Sequence, residues 1–199
     1  DGNGLTGADG QSLRVIALLD PVMPDGSHVG QSSCRAAAGV TVKLVAGATK
    51  EAILAAYESI KDAKDACLVL SLPTSTVQME YQYHKKATAM LEMIEDLVGY
   101  AISLCGKVEL FARDASRAEE GFLPAVCAAA KRAGASAVTL CDDAGIFMPE
   151  DAVAALAAAK EAGLPIYICP SDALHMAAAV TAASVSAGAD GVFTSIDGE

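Results

Sequence analysis

In this chain, polar and charged side chains recur just after apolar runs. Asp20 and Asp25 follow the first run, Thr74 and Ser75 the third, Arg113 and Asp114 the fourth, Asp142 and Asp143 the fifth, and Ser171 and Asp172 the sixth. These residue types handle small anions, hard cations and protons. Carboxylates ligate divalent metals or move protons, a guanidinium grips a carboxylate with two parallel bonds, and hydroxyls donate to oxyanions. His28 adds a group whose charge changes near neutral pH. Asp25 lies in a Pro-Asp-Gly tripeptide, so it serves either as a metal ligand or as an ordinary turn carboxylate. Arg113 and Asp143 can pair with each other or hold a carboxylate ligand between them. Thr74 and Ser75 can cap the helix that follows them and bind an anion there. Cys141 and Cys169 end apolar runs and read either as nucleophiles at a cleft or as buried thiols. The lack of an adjacent base favours buried thiols.

These side chains need a scaffold that brings strand ends together. Strand-like runs cover residues 12–20, 40–46, 66–72, 107–112, 136–142, 165–169 and 190–196. Alanine-rich helical stretches separate most of them. Thr49 is placed to N-cap a helix bearing Ile53, Leu54, Tyr57 and Ile60 on one face. A long helix is expected from about Tyr83 to Leu104, with Met90, Leu91, Ile94, Leu97 and Val98 as its apolar stripe. Another ends near Gly134 after Lys131 and Arg132, and a third runs from Pro149 to Gly163. A last helix lies between His175 and Gly188. Near-continuous apolar strands alternating with helices predict a parallel sheet covered by helices. The pattern alone leaves a doubly wound sheet and a closed barrel both open. In either, the C-terminal strand ends build the site.

Composition bounds the function. The chain has 199 residues, is 53% hydrophobic, and has a mean hydropathy of +0.37. It contains no apolar stretch near the ~18 residues of a membrane span. A net charge of -11 and a sequence pI of about 4.6 argue against nucleic acid as a partner. The six cysteines are scattered singly, which fits reduced thiols in a reducing, cytoplasmic compartment. Residues 1–12 read as a loose Gly/Asp-rich leader, and residues 13–199 as a single domain.

The stretch KVELFARDASRAEEGFLPAVCAAAKRAGASAVTLCDDAGIFMPED resembles the central barrel segment of the homocitrate synthase, isopropylmalate synthase and hydroxymethylglutaryl-CoA lyase superfamily. LPTSTVQMEYQYHKKA, SDALHMAAAVTAASVSAGADGVF and IALLDPVMPDGSH resemble further segments of it. The resemblance runs over roughly residues 13–199 and is most specific over 107–150. It implies a (β/α)8 TIM-type barrel, shortened or incomplete here. It also implies condensation or cleavage of a carbon–carbon bond between an acyl-CoA and a small 2-oxo acid, with a divalent metal.

Several family positions are substituted. The resemblance places the family's signature Arg on Pro24 and its metal Asp on Asp25, and puts Ser27 and His28 at the following Glu and Gln. It places the two metal histidines on Ile168 and Pro170, the Glu of a Glu-Asp pair on Arg113 with Asp114 kept, and a Thr on Asp143. The Asp of a Thr-Ser-Asp run falls on Thr76. The resemblance thus calls for a divalent metal, while the substitutions leave Asp25 as its one expected ligand. A hard cation needs several oxygen or nitrogen donors. Arg113, Asp143 and His28 remain as catalytic candidates. Thr74, Ser75, Asp114, Ser171 and Asp172 remain as binding candidates for a 2-oxo acid or other small carboxylate. The alternatives are an inactive paralogue that binds a small carboxylate or serves as a subunit of an active enzyme, and a metal-independent aldolase or lyase using Arg113, Asp143 and His28. A shortened barrel exposes edges and apolar faces, which predicts a homo- or hetero-oligomer.

Overall fold

The computed structural model describes residues 16–19 and 41–194. The leader, Asp20, Asp25 and His28 lie outside the described residues. Among the described residues, seven parallel strands form one sheet: β1 (Ile16–Leu19), β2 (Thr41–Ala46), β3 (Ala66–Pro73), β4 (Val108–Arg113), β5 (Ala137–Cys141), β6 (Ile166–Cys169) and β7 (Gly191–Val192). Each pairs with its neighbours in sequence, in the order β1-β2-β3-β4-β5-β6-β7. Parallel crossovers are right-handed, so steps in one direction place every connecting helix on the same face. A doubly wound sheet would reverse direction partway along. The arrangement is therefore an incomplete (β/α)8-type barrel.

Among the described residues, six α-helices cover the outside: α1 (Lys50–Ile60), α2 (Thr76–Tyr83), α3 (Ala87–Leu104), α4 (Phe122–Arg132), α5 (Pro149–Lys160) and α6 (Ala177–Ser186). Thr49 caps α1 as expected, its hydroxyl accepting from the Ala52 N–H at 3.2 Å. The helix expected from about Tyr83 to Leu104 starts only at Ala87, and α2 precedes it. Ser75 caps α2 by accepting from Gln78 N–H, and His84 ends it at φ 51. The Lys85 N–H then closes onto the Met79 carbonyl at 3.1 Å. A left-handed residue with that closure stops a helix whatever the pattern around it.

Side chains alternate across the sheet. The outward set includes Leu44, Leu68, Leu70, Leu110, Val138, Leu140, Ile166 and Ile168. It packs with Ile53, Met90, Ile94, Val98, Val126 and Leu156 of the helices into the main core. The inward set is mixed. Val69, Phe111 and Cys141 cluster with Val45, Cys169 and Phe193. Phe111 and Phe193 meet edge to face at 5.2 Å. Also buried are Lys43, 4% exposed, and Glu109, 2% exposed, which form an ion pair; Thr139 also donates to Glu109. The Lys43 Nζ lies 5.1 Å from the centroids of both Tyr167 and Phe193. The pair is thus closed in by aromatic faces, which also attract the ammonium.

Candidate active site at the barrel mouth

A cleft of about 490 Å³ opens at the C-terminal ends of β2 to β6. Ser71, Arg113, Asp143, Cys141, Cys169 and Ser171 are among its lining. Three of the candidate residues, Arg113, Asp143 and Ser171, therefore converge on one space. Arg113 is the last residue of β4, and Asp143 follows β5. The Arg113 Nε donates to both Asp143 oxygens, at 2.7 and 2.9 Å. Its Nη1 lies 3.4 Å from the Ser71 hydroxyl. Gln78 of α2 reaches Asp143 from outside the sheet at 3.2 Å. The main chain at Arg113 is held from β3, where the N–H and the hydroxyl of Thr74 both donate to its carbonyl at 2.9 and 2.8 Å.

The other candidates sit elsewhere. Thr74 is buried and borders a second cleft of about 470 Å³, with Thr76, Glu80, Lys85, Lys86 and Glu119. Asp114 is fully buried at φ 59, where it accepts from the Ser75 hydroxyl and from the Arg117 guanidinium at 2.8 and 3.0 Å. This knot ties the end of β3 to the end of β4. Asp172 is exposed and accepts from Ala177 N–H at the start of α6. Asp142 is buried and accepts from the N–H groups of Ile146 and Phe147, shaping the turn after β5.

One assignment drawn from the resemblance changes. Ile168 was matched to a family metal histidine, but its side chain belongs to the outer core. Strand parity decides this, because alternate residues face opposite sides. The inward residues of β6 are Tyr167, beside Lys43 and Phe193, and Cys169 in the mouth. Ser71 and Gln78 were not picked out from the sequence. Ser71 shares inward parity with Val69, which could have flagged it. Gln78 becomes visible only once α2 is placed.

Among the described residues, no three His, Cys, Asp or Glu side chains gather as a metal site. The described residues that line the mouth offer the thiols of Cys141 and Cys169, the hydroxyls of Ser71 and Ser171, and the carboxylates of Asp142 and Asp143, the first held by the Ile146 and Phe147 N–H groups and the second by Arg113. Hard divalent cations need several free oxygen donors, and with both carboxylates engaged these described residues do not fit one. Among the described residues that line this mouth, the positive charge is that of Arg113. Cys141 and Cys169 are register partners at the ends of β5 and β6, where their thiols interact, and the Cys141 Sγ also donates to the Thr139 carbonyl at 3.9 Å. The contact between the thiols lowers the pKa of Cys169 from its ordinary value, and contact and burial together raise that of Cys141.

A family model described as HMGL-like matches residues 22–199. The chain is 34% identical to methylthioalkylmalate synthase 1-1, chloroplastic, of Eutrema japonicum over 79% of its own length and 32% of that protein's. It is 30% identical to the 2-isopropylmalate synthase of Pyrococcus furiosus, over 94% of its own length and 39% of the relative's. The chain thus spans well under half the length of these curated relatives. Among solved structures, it superposes on the hydroxymethylglutaryl-CoA lyase of Pseudomonas aeruginosa with a TM-score of 0.74 at 17% identity. That match covers 89% of this chain and 62% of the other. An HMG-CoA lyase solved in complex with coenzyme A and 3-methylmalate superposes with a TM-score of 0.70 at 12% identity, over 87% of this chain and 60% of the other.

Proposed function

The chain belongs to the HMGL-like family, and from that premise we propose that its barrel mouth makes or breaks a carbon–carbon bond on a small 2-oxo acid, with an acyl-CoA as the second partner. The observation that carries this reading is the convergence of Arg113, Asp143, Ser71 and Ser171 on one cleft at the strand ends. Barrel enzymes place their chemistry at that end. A related lyase fold holds coenzyme A and 3-methylmalate, a ligand pair of the size and charge this reading needs.

Arg113 is the group assigned to the substrate. Its guanidinium can grip the carboxylate of a 2-oxo acid and offset the charge that grows on the keto oxygen as the new bond forms. Asp143 acts through Arg113 as a positioning residue, with Gln78 steadying it. Ser71 and Ser171 offer hydroxyls to the remaining substrate oxygens. His28 is the proposed acid–base group, moving a proton between the acyl α-carbon and solvent. The donors on β3 to β6 do not suit a hard cation, so the charge in this scheme belongs to Arg113.

The test is a reaction mixture of acetyl-CoA with pyruvate or 2-oxoglutarate, read by mass spectrometry for the condensed acid. Calorimetric titration of each 2-oxo acid runs alongside. Product formation, and at least about a tenfold loss of 2-oxo acid affinity in Arg113→Ala, are expected, as befits loss of a charge-assisted contact. Absence of both product and binding in the intact protein removes the proposal.

A further inference from the structure

We propose that Cys141 and Cys169 form a dithiol site that reacts with small disulfides and closes into an intramolecular disulfide across the barrel mouth. Cys141 and Cys169 are direct register partners on β5 and β6. Neighbouring strands run about 4.7–4.9 Å apart, inside the Cα separation of about 4.4–6.8 Å that a disulfide spans. Both side chains sit on the inward face, and both line the cleft. Each is the last residue of its strand and is followed by a loop, so the backbone can adjust as the bond forms.

The pair is asymmetric in a way that assigns roles. Cys169 is partly open to the cleft, while Cys141 is buried. The neighbouring Cys141 thiol favours the thiolate of Cys169. Arg113 across the cleft acts in the same direction, while burial and the carboxylates of Asp142 and Asp143 oppose it. The buried thiols of Cys67 and Cys127 differ, because burial pushes both up to about 12. Reaction therefore starts at Cys169.

The oxidant is a low-molecular-weight disulfide. The Cys169 thiolate attacks one sulfur and expels a small thiolate, leaving a mixed disulfide. Cys141 then gives up its proton and attacks the Cys169 sulfur. This expels the second small thiolate and forms the Cys141–Cys169 bond. Two protein thiols are oxidised and one small disulfide is reduced to two thiols. None of this depends on the proposed acyl chemistry.

The experiment treats the reduced full-length protein with oxidised glutathione and follows intact mass and peptide maps. The wild type should lose the mass of two hydrogens, with the bridge mapped between Cys141 and Cys169. Cys141→Ser should stop at a lasting glutathione adduct on Cys169. Cys169→Ser should form neither product, and Cys169 should react at least about tenfold faster than Cys67 or Cys127. A lasting adduct on wild-type Cys169, a bridge involving another cysteine, or no reaction at either thiol overturns the proposal. If a serine variant fails to fold by circular dichroism, the wild-type peptide map decides alone.

Discussion

Arg113 faces two claims at once, one from Asp143 and one from the proposed substrate. Its side chain is 45% exposed and that of Asp143 19% exposed. Partly exposed pairs of this kind contribute about 0–1 kcal/mol to stability. Asp143→Asn is therefore expected to leave the melting temperature almost unchanged. It should raise KM for the 2-oxo acid about threefold to tenfold with a smaller effect on kcat, because Arg113 loses its orientation but not its charge. Steady-state kinetics beside a thermal melt check this. Arg113→Lys keeps the charge and loses the fork, so it should recover little of the affinity lost in Arg113→Ala. If both variants bind 2-oxo acids like the wild type, Arg113 is not the carboxylate partner.

The strands and helices carry charges in places where a sequence scan passes over them. Glu109 holds Lys43 and Thr139 within the barrel. Removing one member of a buried pair costs about 3–5 kcal/mol, because the other is left charged and unpaired. Lys43→Met and Glu109→Leu should each show that loss in urea unfolding, and the double variant should recover most of it. Additive losses would show that the two do not act as a pair. The knot of Ser75, Asp114 and Arg117 predicts a second effect. Ser75→Ala removes both the cap of α2 and a donor to a buried carboxylate. The expected cost is about 1–3 kcal/mol by the same measurement. The strands were legible in the sequence because their outward halves are aliphatic, as Leu68 and Leu70 of β3 show. Lys43 and Glu109 were not, because a charge in an apolar run reads as solvent-facing until the sheet curls. The break at His84 was invisible too, since only the backbone angle marks it. Arg113 and Asp143 were legible as partners because one ends and the other follows a strand on neighbouring units. Asp25 and His28 lie outside the described residues, and their placement rests on the resemblance.

Across the whole molecule, buried thiols give stability a pH dependence with a definite sign. Cys67 and Cys127 hold their protons to about pH 12 in the folded chain. An unfolded thiol loses its proton near its ordinary value of 9.0. Below that value both states are protonated and the folded state keeps its full advantage. Between it and about pH 12 only the unfolded state releases protons, so stability falls as pH rises. Each thiol contributes at most about 1.4 kcal/mol per pH unit over that window. Cys127→Ala should make the alkaline fall in unfolding free energy shallower than in the wild type, measured by denaturant titration at several pH values. An unchanged slope would show that Cys127 does not titrate differently on folding.

The strand order has a consequence for how the chain is made. Each described strand after the first pairs with the described strand before it. A nascent chain leaving the ribosome thus finds, for each described strand after the first, a partner already present. Each pairing of sequence neighbours closes one strand–helix unit, which favours stepwise growth of the sheet. Chains arrested after successive strand–helix units are expected to gain protease resistance in increments rather than in one late jump.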